Sequence, residues 1–256
     1  MAGESLFAIC DAFFVARLGS GPLATVGLTE SLLFLVYVVA IGLSLATTAI
    51  VARRIGEKDH RGAAEAAVQA IALGILIALI LGSVSAFAAP HLLRLMGATE
   101  EVISVGLGYT RWMFGGMLTI VLFFLINAAF RGAGDASSAM RALWFANVIN
   151  LILDPCLIFG LGPFPELGLT GAAVATNIGR GCGVLYQVSI LRSKRGRLIV
   201  RRSDLRIQAG VALNLLRVAL GGMSQALVPN ISWIGLIRML AVYGSDALAG
   251  YVIAMR

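Results

Sequence analysis

Asn150-Leu-Ile-Leu-Asp154-Pro155 sits inside a long apolar run, residues 142–164, in which Asp154 is the only charged side chain. A carboxylate at the centre of a bilayer costs roughly 2.5–3.5 kcal/mol on insertion scales, so an Asp in such a run points to function by default. Asn150 precedes it by four residues, which puts both groups on one helix face, a turn apart. Pro155 has no backbone N–H, so the Leu151 carbonyl loses its helical donor and becomes a free oxygen. Carboxylate, amide and carbonyl oxygens would then stand at one depth. The plainer alternative is a packed helix whose Asn and Asp bond to neighbours and whose Pro only kinks it.

The composition around this stretch fixes the class. Of 256 residues, 59% are hydrophobic and 13% charged, against about 25% charged in a soluble domain. With a mean hydropathy of +0.92, the chain reads as an all-α integral membrane protein. Its net charge of +7 suggests nucleic acid at first sight. The basic residues fall between apolar runs, however, where membrane topology expects them, so no nucleic-acid partner is expected. Cys10, Cys156 and Cys182 lie in apolar segments without a CxxC pair or an adjacent His, and imply neither disulfide nor metal site. The N-terminus lacks the basic region of a cleavable signal.

Outward from the central run, the chain divides into apolar segments long enough to cross a bilayer. Residues 5–16 form a short first span interrupted by Asp11, so the chain is expected to begin inside its first helix. Gly19-Ser-Gly-Pro22 predicts a turn, and residues 31–52 an uncharged second span. Residues 66–90 give the third span, 102–130 a long fourth with Tyr109 and Arg111, and the run holding Asn150 and Asp154 the fifth. Residues 167–191 give a sixth with Thr176 and Arg180 inside it. A basic stretch from Arg192 to Arg206 follows, then a seventh span over 211–243 and the start of an eighth near Ala247.

Thirteen Lys and Arg residues follow the even-numbered spans and two follow the odd-numbered ones. The asymmetry predicts a multi-pass protein of the cell (inner or plasma) membrane with a cytoplasmic N-terminus. Gly19-Ser-Gly-Pro-Leu-Ala24 after the first span is echoed by Gly244-Ser-Asp-Ala-Leu-Ala249 after the seventh, with four of six positions identical. That spacing suggests a parallel six-span repeat. Leu236 would stand where Asp11 stands in the first copy, so a carboxylate site would belong to the first copy alone. The expected domains are a first lobe at 1–192, a basic cytoplasmic linker at 193–208 and the beginning of a second lobe at 209–256.

At this point the motifs resemble those of the multidrug and toxic compound extrusion (MATE) transporters. The resemblance rests on Asp11-Ala-Phe-Phe-Val-Ala-Arg-Leu-Gly19, Val51-Ala-Arg-Arg-Ile-Gly56, Arg131-Gly-Ala-Gly-Asp135, Asn150-Leu-Ile-Leu-Asp-Pro155 and Gly171-Ala-Ala-Val-Ala-Thr176, in the family's order. It implies two six-helix lobes in a V and antiport of small organic, often cationic, compounds against Na⁺ or H⁺, with no cofactor. Carried over by motif, the cation site would comprise Asp11, Asn150, Asp154 and Thr176, with Tyr109 lining the same pocket. Family members have twelve helices, so this chain is expected to be a fragment of a protein that is monomeric when complete.

Two carboxylates in one low-dielectric site cannot both ionise uncompensated, so one takes a proton or they share a cation. An intramembrane protease is the enzymatic competitor, because Gly132-Ala-Gly-Asp135 has the GxGD pattern. Its second motif needs an Asp after a Tyr, and none of the five tyrosines has one. No enzyme is therefore expected. A lipid-linked oligosaccharide flippase of the same architecture would call for a basic cavity in place of Asp11 and Asp154. The remaining alternative is a truncated, non-transporting membrane fragment.

Overall fold

The computed structural model describes residues 13–193, 198, 200 and 209–241, with side chains in the last stretch from 210 to 228. Asp11, most of the basic linker and the echo at Gly244–Ala249 lie outside the described residues. Among those described, every regular element is a helix. In chain order they are α1 (Ser20–Gly56), α2 (His60–Leu95), α3 (Glu100–Gly115), α4 (Met117–Gly132), α5 (Ala136–Phe159), α6 (Leu169–Arg192) and α7 (Ala209–Ala241).

Local chemistry explains the helix ends. Gly19 (φ 112°) turns the chain into α1, and Pro22 falls in the first turn, where its missing N–H is no loss. Asp59 accepts from the Gly62 N–H (2.8 Å) to open α2. Asp135 opens α5 by accepting from the Ser138 N–H (3.1 Å) and from the hydroxyls of Ser137 (2.8 Å) and Ser138 (2.7 Å). Such caps satisfy donors that a helix start leaves open. Gly160 closes α5 in the left-handed region (φ 67°), the conformation glycine adopts most freely. The GxGD aspartate is thus a helix cap.

Two expectations need correction. The long fourth span is two helices divided at Gly116. The Asn177 amide on α6 donates to the Trp112 carbonyl (2.8 Å), and the Thr119 hydroxyl to that of Gly116 (2.8 Å). Side chains thereby take up backbone acceptors at the break, as lipid requires. The second span is also not uncharged. Helix α1 starts at Ser20, so the apolar stretch Gly21–Gly56 contains Glu30.

Five stretches are long and apolar enough to cross a membrane: Gly21–Gly56, His60–Leu95, Glu100–Gly132, Ala136–Phe159 and Gly210–Val228. Helix α6 is absent from that set, yet its 24 residues extend about 36 Å, more than the hydrocarbon thickness. Thr176, Asn177, Arg180 and Gln187 lower its hydropathy, and it is the helix that reaches both the buried cluster and the cavity. Leu76, Leu79, Ile80, Val84 and Phe87 on α2, with Trp144, Phe145, Val148 and Ile152 on α5, are exposed. A water-soluble fold would not leave such patches open, whereas lipid covers them at no cost.

The main apolar core joins α1 to α6, with Ile158 the contribution of α5, and includes Leu215 and Ala219 of α7. A second cluster closes one end, where Val51, Ala63, Ile126, Phe130, Ala139 and Leu191 meet. Helices α5 and α6 pack most intimately. Gly179 makes this possible: a Cβ there would lie 2.9 Å from both the Ala146 carbonyl oxygen and Asn150 Cβ. Small residues at such crossings let helix backbones approach in lipid.

Candidate functional site

The α5–α6 contact builds the polar centre. Asn150 and Asp154 follow one another along the inner face of α5 at 3% and 1% exposure, and Thr176 on α6 is 6% exposed. Asn150 Nδ2 donates to Asp154 Oδ1 (3.2 Å) and to Thr176 Oγ1 (3.2 Å). The amide therefore ties the carboxylate of its own helix to the hydroxyl of the next. Its own oxygen, Asn150 Oδ1, is buried without a hydrogen-bond partner among the described residues. An unsatisfied acceptor beside a buried carboxylate is costly, and becomes useful if a proton donor or cation enters. The donor set is carboxylate, amide and hydroxyl oxygen, hard ligands suited to an alkali cation or a proton.

Thr176 has a second role. With Tyr109 it lines a cavity of about 220 Å³ whose other walls are Glu30, Leu33, Phe34, Tyr37, Met113 and Arg180. Tyr109 comes from α3, and its side chain is buried. Asn150, Asp154 and Thr176 are thus joined by hydrogen bonds, and Tyr109 shares the cavity wall with Thr176. Asp11, the fifth candidate, lies outside the described residues.

Three residues of this region are not among the sequence-predicted site residues. A span expected to begin at residue 31 leaves Glu30 outside, although Leu28-Thr-Glu30-Ser-Leu-Leu33 is apolar on both sides and Pro22 marks an earlier helix start. Tyr37 gives no local signal, because an aromatic residue in a span is ordinary. Arg180 is legible as intramembrane, but its sequence surroundings assign it no role. The structure puts its Nη2 3.1 Å from the Tyr37 hydroxyl, which accepts.

A bundle of membrane-length helices around a buried carboxylate and a polar cavity defines a polytopic membrane protein. The MatE family profile matches residues 1–156, more than half the sequence, and the chain belongs to that family. It is 32% identical over 170 residues to the FAD transporter of Shewanella oneidensis, covering 66% of this chain and 38% of that protein. The Probable multidrug resistance protein YoeA of Bacillus subtilis is 29% identical over 238 residues, covering 91% of this chain and 51% of that one. Among solved structures, the crystal structure of MATE in the bent conformation superposes with a TM-score of 0.88 at 29% identity, over 99% of this chain and 56% of that one. The chain spans about half the length of the relatives it matches or less.

Proposed function

We propose that the protein is a secondary antiporter that exports small organic compounds, cationic ones among them, in exchange for inward Na⁺ or H⁺. The observation that carries this reading is the double placement of Thr176. Its hydroxyl bonds into the Asn150–Asp154 cluster, and the residue also lines the cavity. An ion captured at the cluster and a solute in the cavity then share one side chain. Asn150 suits both states of Asp154, since its N–H groups serve the ionised carboxylate and its free oxygen can face an entering cation or acid proton. Neutralising Asp154 removes most of the desolvation cost of the site, which gives the ion a differential effect on the bundle. Asp11 and Tyr109 complete the proposed coupling site. The buried Asp154 carboxylate favours an antiporter over a flippase, in which basic residues would take the place of acidic ones.

The test is export by proteoliposomes of the full-length protein under a pure Na⁺ gradient and under a pure pH gradient. Asp154→Asn and Asp11→Asn should each abolish the gradient-driven component while the protein still inserts. Both variants exporting like the parent would remove the ion site. The domain division at 192 and 208, the monomeric state and the cytoplasmic N-terminus belong to the same proposal. A cysteine introduced at Glu166 should react with an impermeant reagent from outside, and one at Ser193 should not; labelling of both refutes that orientation.

A further inference from the structure

We propose that Arg180 makes the cavity selective for solutes bearing an acidic group alongside a cationic one, so that zwitterions bind better than simple cations. The inference rests on the cavity being the cargo site. Arg180 lies one turn beyond Thr176 on α6 and is half-buried. Its Nη2 donates to the Tyr37 hydroxyl (3.1 Å), while Nη1 is buried without a hydrogen-bond partner. Among the described residues, neither Arg180 nor Glu30 enters an ion pair, although both line the same cavity. A guanidinium carries five donors in a planar fork, and a permanently charged group in a membrane span is expensive to leave unpaired.

What completes such a fork is a carboxylate or phosphate, which it can bind with two parallel hydrogen bonds. Tyr37 holds the guanidinium through Nη2, and it is itself packed on Phe124 (ring centroids 6.0 Å apart). That contact fixes the orientation of the guanidinium in the cavity wall. Glu30 adds a carboxyl group to the wall of the same cavity. One fixed cation and one carboxylate in the wall disfavour a simple anion and a simple cation alike, and match a solute carrying both charges.

The test compares rhodamine 110, which holds a carboxylate beside its cationic ring, with rhodamine 123, its methyl ester. Binding is read by fluorescence anisotropy to the full-length protein in lipid nanodiscs, with empty discs subtracted. The wild type should bind rhodamine 110 roughly tenfold tighter or more, the size of a charge-assisted hydrogen-bond pair. Arg180→Gln should bring the ratio of dissociation constants close to one, because it removes the fork that holds the acid and with it the repulsion felt by the cationic rhodamine 123. Tyr37→Phe, which removes the positioning hydroxyl, should lower the ratio by about threefold.

A wild-type ratio near one overturns the inference without recourse to any variant. So does a ratio that survives Arg180→Gln, which would mean that Nη1 serves another part of the protein. Ion-driven uptake of rhodamine 123 by proteoliposomes tests the antiport reading separately. Uptake without acid preference leaves antiport standing and removes this inference; preference without uptake does the reverse. Binding of neither dye removes both.

Discussion

Two buried amides on the inner faces of neighbouring helices do different work. Gln187 on α6 is fully buried and donates to Asn127 Oδ1 (2.9 Å) and to the Phe123 carbonyl (3.3 Å). Asn150 on α5 is nearly as enclosed, but its amide donates to a carboxylate and to the hydroxyl of a residue that lines a cavity. The first set is neutral and joins α6 to α4. The second contains an ionisable group whose burial no packing argument requires, since a neutral isostere would bridge the helices at lower cost. In a membrane, a buried amide alone reads as adhesive between helices. A buried carboxylate beside it makes the same geometry a candidate site.

The sharpest way to break this contrast is to exchange the effects. Asp154→Asn should reduce gradient-driven export to background with little change in thermal stability. Gln187→Leu should leave export within about twofold and lower stability by ~1 kcal/mol, the range for interhelical hydrogen bonds in lipid. Thermal unfolding in detergent and the proteoliposome assay read both quantities on the same preparations. Loss of coupling in Gln187→Leu at full stability would make the neutral network part of the mechanism.

A smaller effect follows from what brings Thr176 to Asn150. A side chain at Gly179 must displace Ala146 or Asn150, whereas a Cβ at Gly181 meets nothing within 4 Å. Gly179→Ala should therefore cut export by about tenfold through misplacement of Thr176, as small shifts of positioning groups do. Gly181→Ala on the same helix should be silent. Equal effects of the two changes would show that the α5–α6 spacing does not hold the site.

The membrane class, the helix order and the pair Asn150 and Asp154 are legible in the sequence because each is a local signal. A run of apolar residues, an interval of four and a lone carboxylate need no tertiary information. Glu30 and the break at Gly116 escape such a reading for a different reason. Whether Glu30 ends a loop or enters a helix depends on where α1 starts, and Ser20 is eleven residues before the expected start at 31. The division at Gly116 involves an amide from Asn177, sixty-one positions away in the chain. Likewise, nothing local to Arg180 reveals that Tyr37 holds it. Residues that act through a partner on another helix become visible only when the helices are placed.

The smallest expected effect concerns the aspartate that caps α5. Asp135 and Asp154 are nineteen residues apart, one at the start of the helix and one inside it, and both accept hydrogen bonds from neighbouring side chains. Asp135 does so at the N-terminus of α5, where Ser137 and Ser138 supply the donors and the helix dipole favours negative charge. Its contribution is that of a cap, about 1 kcal/mol when replaced by Ala and less by Asn, which caps nearly as well. Asp135→Ala should lower thermal stability by that amount and leave gradient-driven export intact, while Asp135→Asn should change neither appreciably. Asp154→Asn is expected to show the opposite pattern, export lost and stability kept. If Asp135→Asn also abolished export in a folded protein, charge at the end of α5 would be part of the coupling, and the GxGD aspartate would need a role beyond holding its helix.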